Sequence, residues 1–110
     1  MNDQLTSEPG VYLPSILGVR LENAYLITES NVPQYTLLHP TLSQQRKFLR
    51  FEPLDYIPFQ RKLVMDELLT RQEWDMLRTY HKNCLDKTMG QCFTEEGRQW
   101  LQRECEVWLE

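Results

Sequence analysis

The sequence predicts an α+β fold, with strands in its first half and two helices closing it. Three observations predict this. Residues alternate with a period of two over positions 19–27, and less cleanly over 47–52. Beyond position 70, apolar residues recur at helical spacing behind two cap signals, Thr70 and Thr94.

In the first strand Val19, Leu21, Asn23, Tyr25 and Ile27 share one face, and Arg20, Glu22, Ala24 and Leu26 share the other. Arg20 and Glu22 therefore project the same way. Between Thr28 and Gln45 come Pro33 and Pro40 among Ser, Asn, Thr and Gln without periodicity, which predicts an irregular connection with exposed tips. In the second strand Lys47, Leu49 and Phe51 face away from Phe48, Arg50 and Glu52, and Pro53 ends it by removing a ladder donor. Pro53 and Pro58 bracket residues that should run extended.

Thr70 followed by Glu73 is a capping box, so a helix should start at Arg71. Trp74, Leu77, His81, Cys84, Leu85 and Thr88 share its packing face, with Arg71, Asp75, Arg78, Lys82 and Asp86 outside and Gly90 as a left-handed stop. Thr94 caps a second helix, with Glu95 and Glu96 at its positive end and Trp100, Leu101, Glu104, Cys105 and Trp108 at helical spacing. His81 reads as a hydrogen-bonded helix-face histidine rather than a ligand.

At 110 residues with a formal charge of −4, one small domain with one core is expected. There is no basic surplus for a phosphate backbone, so nucleic acid is not expected as a partner. Nor is a membrane, because no apolar run approaches the ~20 residues of a span. Cys84, Cys92 and Cys105 form no C-x-x-C pair and read as reduced thiols in or beside a helical core, which fits a cytoplasmic protein.

Two acids stand out. Glu8 precedes a Pro-Gly turn, and Glu22 lies mid-strand, where carboxylates are depleted. On the residues alone, Glu22 reads as solvent-facing or as the ion-pair partner of Arg20. A buried carboxylate there would need a pair, hydrogen bonds or a metal.

The motifs E-P-G-V-Y at 8–12, G-V-R-L-E-N at 18–23 and F-E-P-L-D-Y-I-P-F-Q-R-K at 51–62 follow one another in an order that resembles the last part of Xaa-Pro aminopeptidases (aminopeptidase P), within the creatinase-like metallopeptidases. Leu77, Tyr80, His81 and W-L-Q-R-E at 100–104 continue the resemblance, which runs from about Leu5 onward. It implies a C-terminal fragment of a "pita-bread" catalytic domain spanning 1–110, with strands and extended segments over 5–69 and a two-helix tail over 70–110.

It also implies a dinuclear site with ligands from two Asp, one His and two Glu, the last two matching Glu8 and Glu22. Mn(II) is the expected metal, with Co(II) or Zn(II) able to use the same cage. Two such ions roughly 3.5–4 Å apart activate a shared water near neutral pH. By the resemblance Glu22 bridges both ions, while Glu8 binds one and takes the water's proton. Arg20 steadies a carboxylate and Tyr12 lines the pocket for the proline of a peptide substrate with proline second. Tyr12 also reads as a plain sheet-face aromatic, and Glu52 as a structural acid pinning backbone at the strand end.

The two Asp and the His lie upstream of E-P-G in such enzymes, so this chain carries two of five ligands. It is expected to bind metal weakly, or not at all, and to be inactive alone. Its cut sheet edges should favour self-association, in line with the homodimers of the family. The tip L-P-S-I-L at 13–17 is more apolar and poorer in glycine than the family pattern. The 14-residue step from Glu8 to Glu22 suits eukaryotic-type enzymes. A prolidase-like dipeptidase fragment and a non-catalytic peptide- or protein-binding module on the same fold are the alternatives. Retention of Glu8, Glu22 and Arg20 favours the enzyme.

Overall fold

A computed structural model describes residues 3–30, 48–92 and 94–110. Positions 31–45 of the predicted connection, with Pro33, His39 and Pro40, and Lys47 of the predicted second strand lie outside the described residues. The α+β class holds, with antiparallel strands first and two helices last. In place of one domain with one core there are two compact units, Met1–Asp55 and Tyr56–Glu110.

In the first unit, β1 (Gln4–Ser7), β4 (Asn23–Glu29) and β5 (Leu49–Pro53) form an antiparallel sheet in the order β1-β4-β5. β2 (Gly10–Leu13) and β3 (Leu17–Arg20) form a separate hairpin. The strand predicted over 19–27 is thus two strands, divided at Leu21 and Glu22. Pro9 lies across from the break, and with no N–H it cannot donate to the ladder; it accepts from the Leu21 N–H at 3.0 Å instead. β1 and β2 were not foreseen. β5 includes Pro53, paired with Tyr25 at the sheet edge, where a missing donor is tolerated.

The hairpin tip turns at Pro14 and Ser15, with the Ile16 N–H donating to the Leu13 carbonyl at 3.0 Å. Ser15 has φ 61°, the left-handed region that glycine adopts without cost.

The second unit holds the core. α1 (Arg71–Thr88) begins at the predicted capping box, with the Thr70 hydroxyl accepting from the Glu73 N–H and the Glu73 carboxylate accepting from the Thr70 N–H at 2.7 Å. α2 (Glu95–Glu106) starts behind Thr94, whose hydroxyl accepts from Gly97. Between them the helices bury Tyr80, Cys84, Leu101 and Cys105. Fully burying an aliphatic side chain such as Leu101 contributes about 1.5–3 kcal/mol. The outer face of α1 is exposed as expected, but Trp100 on α2 is exposed rather than packed. Gly90 does not take a left-handed stop: no glycine among the described residues has positive φ, and the helix tightens into a 3-10 turn over Met89–Gln91. The three cysteines are free thiols, two of them buried.

The extended segment after Pro53 belongs to this helical unit from Tyr56 onward, so the chain divides at 55/56 rather than at the 69/70 step expected from the helix start. The reason is a set of hydrogen bonds. Tyr80 Oη donates to the Ile57 carbonyl at 2.8 Å, the Phe59 N–H donates to His81 Nε2 at 3.0 Å, and Trp108 Nε1 donates to the Phe59 carbonyl at 3.2 Å. Phe59 stacks on Tyr80, and His81 stacks on Trp108. Arg61 lies over both Trp74 and Trp108 and pairs with Asp66 at 2.6 Å.

Candidate functional site

The strand register brings the two singled-out acids together. β1 pairs β4 with Ser7 opposite Asn23, and β2 pairs β3 with Gly10 opposite Arg20. Both pairings belong to one continuous count, in which Glu8 falls opposite Glu22 and Pro9 opposite Leu21. Residues opposite one another in an antiparallel pair project to the same face. Thr6, Glu8, Gly10 and Tyr12 on one run, and Gly18, Arg20, Glu22 and Ala24 on the other, therefore share a face. Val11, Leu13, Leu17, Val19 and Leu21 share the reverse, apolar face, where all five are exposed.

Contacts on the polar face agree. Arg20 Nε donates to Tyr12 Oη at 2.9 Å, and Arg20 Nη1 lies 3.7 Å from Glu8 Oε2. The Thr6 hydroxyl donates to Glu8 Oε1 at 2.8 Å. The Arg20 guanidinium is held more firmly protonated than usual, first by the Tyr12 hydroxyl, then by the charge of Glu8, and least by that of Glu22. The predicted Arg20 to Glu22 pairing is thus the lesser one: with the strand broken at Leu21, Arg20 turns to Glu8 and Tyr12.

Glycine makes the arrangement possible. The Tyr12 ring lies across Gly10 and Gly18, where a Cβ added at Gly10 would collide with the Tyr12 hydroxyl and one added at Gly18 would come within 2.8 Å of its ring. One side of the ring is seated on backbone, and the residue stays 58% exposed, leaving its outer side open. On the reverse face, Asn23 is the buried exception, 5% exposed, with no partner for its Oδ1 among the described residues. Neither Thr6 nor the glycine seat was read from the sequence. Thr6 lies two residues before Glu8 on one strand face, and that spacing was the signal available.

Among the described residues the Glu52 side chain makes no hydrogen bond to backbone. Its carboxylate lies 4.0 Å from Arg50 and is about half exposed. His81 is as expected: fully buried, Nδ1–H donating to the Leu77 carbonyl at 2.7 Å and Nε2 accepting from Phe59.

Glu8 and Glu22 are hard oxygen donors of the kind that divalent cations take, and both lie on one face. Among the described residues, no group of three His, Cys, Asp or Glu side chains is placed to hold a metal ion. The pair thus fits as part of a cage rather than as a whole one.

The chain belongs to the family described as the C-terminal region of peptidase_M24, whose model it matches over residues 47–108. It is 30% identical over 102 residues to Aminopeptidase P1 of Arabidopsis thaliana, covering 93% of this chain and 15% of that protein. It is 36% identical over 107 residues to protein pid-5 of Caenorhabditis elegans, covering 93% of this chain and 9% of that protein. In fold it resembles the X-prolyl aminopeptidase of C. elegans, described as a cytosolic enzyme with a di-nuclear active site. The match has a TM-score of 0.75 at 30% identity and covers 93% of this chain and 16% of that one. The chain thus spans about a sixth or less of the length of these relatives.

Proposed function

We propose that this chain supplies the C-terminal part of a metallopeptidase that removes the first residue from peptides with proline second. The observation that carries this reading is the opposition of Glu8 and Glu22. Like charges directly opposite one another destabilise an antiparallel pair. Arg20 offsets part of that cost at Glu8, and divalent cations between the carboxylates would offset the rest. Oxygen donors of this kind suit Mn(II), and Co(II) or Zn(II) fit the same ligands.

Two divalent ions, when bound, would bring the pKa of a shared water near neutrality. Glu8 and Glu22 would both hold the ions, and Glu8 would also accept a proton from the water they activate. Arg20, fixed by Tyr12, would brace the Glu8 carboxylate from the hairpin side. The open side of Tyr12 lines the pocket for the substrate proline, whose amide has no N–H to offer a general peptidase. Two Asp and one His complete the cage from outside this chain, so the 110 residues alone should bind Mn(II) weakly and leave Xaa-Pro peptides intact.

The cytosolic C. elegans enzyme supports a cytoplasmic setting. No described helix is long and apolar enough to cross a membrane. The exposed aliphatic face of the hairpin supports self-association, as in a homodimer.

A chimera tests the reading. The matched segment of the C. elegans X-prolyl aminopeptidase is replaced by this chain, and release of the first residue from an Xaa-Pro peptide is followed. The chimera should turn over, and Glu8→Gln should lower kcat by about 10²–10⁴-fold. Unchanged turnover in the Glu8→Gln chimera would contradict the assignment.

A further inference from the structure

We infer that Thr6 is a positioning residue for Glu8: its hydroxyl fixes Oε1 so that the carboxylate presents one defined orientation to a divalent cation. This rests on the proposed role of Glu8 as a ligand. The two carboxylate oxygens have different neighbours. Oε1 accepts from the Thr6 hydroxyl at 2.8 Å, and Oε2 faces Arg20 Nη1 at 3.7 Å. The oxygen held by a neutral hydroxyl keeps its charge available, whereas the one facing the guanidinium is partly neutralised. Each carboxylate oxygen has two lone pairs, so Oε1 can accept from Thr6 and still bind a cation.

Thr6 is well placed for this. It sits on β1 opposite Ala24, whose small side chain leaves the hydroxyl room to reach along the face toward Glu8. The brace is thereby made from two directions along one strand face: Thr6 from the β1 side, and Arg20 with Tyr12 from the hairpin side. A free Glu side chain samples several rotamers, and ordering it when a cation binds carries an entropic cost. Thr6 removes part of that cost in advance. Groups that orient metal ligands in this way typically contribute 10–100-fold in affinity.

The test uses the 110-residue chain, Thr6→Val, Thr6→Ser and Glu8→Gln. Val matches Thr in shape and suits a strand, so folding should be kept. Two readouts are taken by NMR: side-chain rotamer averaging at Glu8 without metal, and the Mn(II) concentration that broadens amides around residues 8 and 22. In wild type Glu8 should show one dominant rotamer; in Thr6→Val it should average, and half-broadening should need about tenfold more Mn(II). Thr6→Ser should restore both. A Thr6→Val chain with wild-type Glu8 rotamers and wild-type broadening overturns the positioning role even where Glu8→Gln abolishes binding. Broadening that is the same in wild type and Glu8→Gln overturns the ligand role and this inference together.

Discussion

Among single residues His81 shows most directly how burial sets chemistry. Both ring nitrogens are used, Nδ1–H toward Leu77 and Nε2 toward the Phe59 N–H, so the buried ring is neutral. Burial pushes its pKa below the ordinary histidine value, and the hydrogen bonds oppose this only in part. A proton added at Nε2 would confront the Phe59 N–H inside the core. Because the folded pKa lies below the unfolded one, the unfolded chain binds the extra proton, and His81 stabilises the fold above about pH 6.5, with that contribution lost on acidification. Glu73 and Glu95 are held below the ordinary carboxylate range by their hydrogen-bond partners and act only at lower pH. We expect the Tm of helical circular dichroism to fall between pH 7.5 and 5.5. In His81→Phe it should be lower at pH 7.5 but nearly flat across that window. A wild-type Tm that rises on acidification would contradict this. Helical spacing alone identified His81 as a packed histidine. It could not identify Phe59, its partner 22 residues away.

At the scale of elements, local chemistry was legible and pairing was not. The caps at Thr70 and Thr94 could be read because the groups that make them lie within three residues. The break at Leu21 and Glu22 could not, since alternation runs through it unchanged and its cause, the missing N–H of Pro9, lies on the opposite strand. Gly90 misled for the converse reason: glycine permits a left-handed stop without requiring one. Elsewhere, in the β2–β3 turn, Ser15 takes the left-handed conformation, which costs a residue with a Cβ roughly 1–2 kcal/mol. Ser15→Gly should therefore stabilise the hairpin unit by about 1 kcal/mol, less the entropy that glycine adds to the unfolded chain. Hydrogen–deuterium exchange of the β2 and β3 amides checks it: slower exchange is expected, and faster exchange would show that Ser15 is not strained.

For the whole molecule, the apolar core lies in the helical unit and the proposed site in the strand unit. Each unit answers to a different part of the sequence. The packing of the helical unit followed from spacing and caps. The polar face of the strand unit followed from motif order, and only the register set Glu8 across from Glu22. What the sequence could not show was the brace of Thr6, Arg20 and Tyr12 on its glycine seat, because those contacts depend on cross-strand partners. The apolar face of the hairpin, from Val11 to Leu21, is exposed at every aliphatic position. The most direct test of the central claim is the metal content of the chimera after Mn(II) loading and gel filtration, measured by elemental analysis. Two Mn per chain are predicted with Glu8 and Glu22 intact, and one or fewer in Glu22→Gln. Two Mn per chain in Glu22→Gln would contradict a site built on this pair of acids.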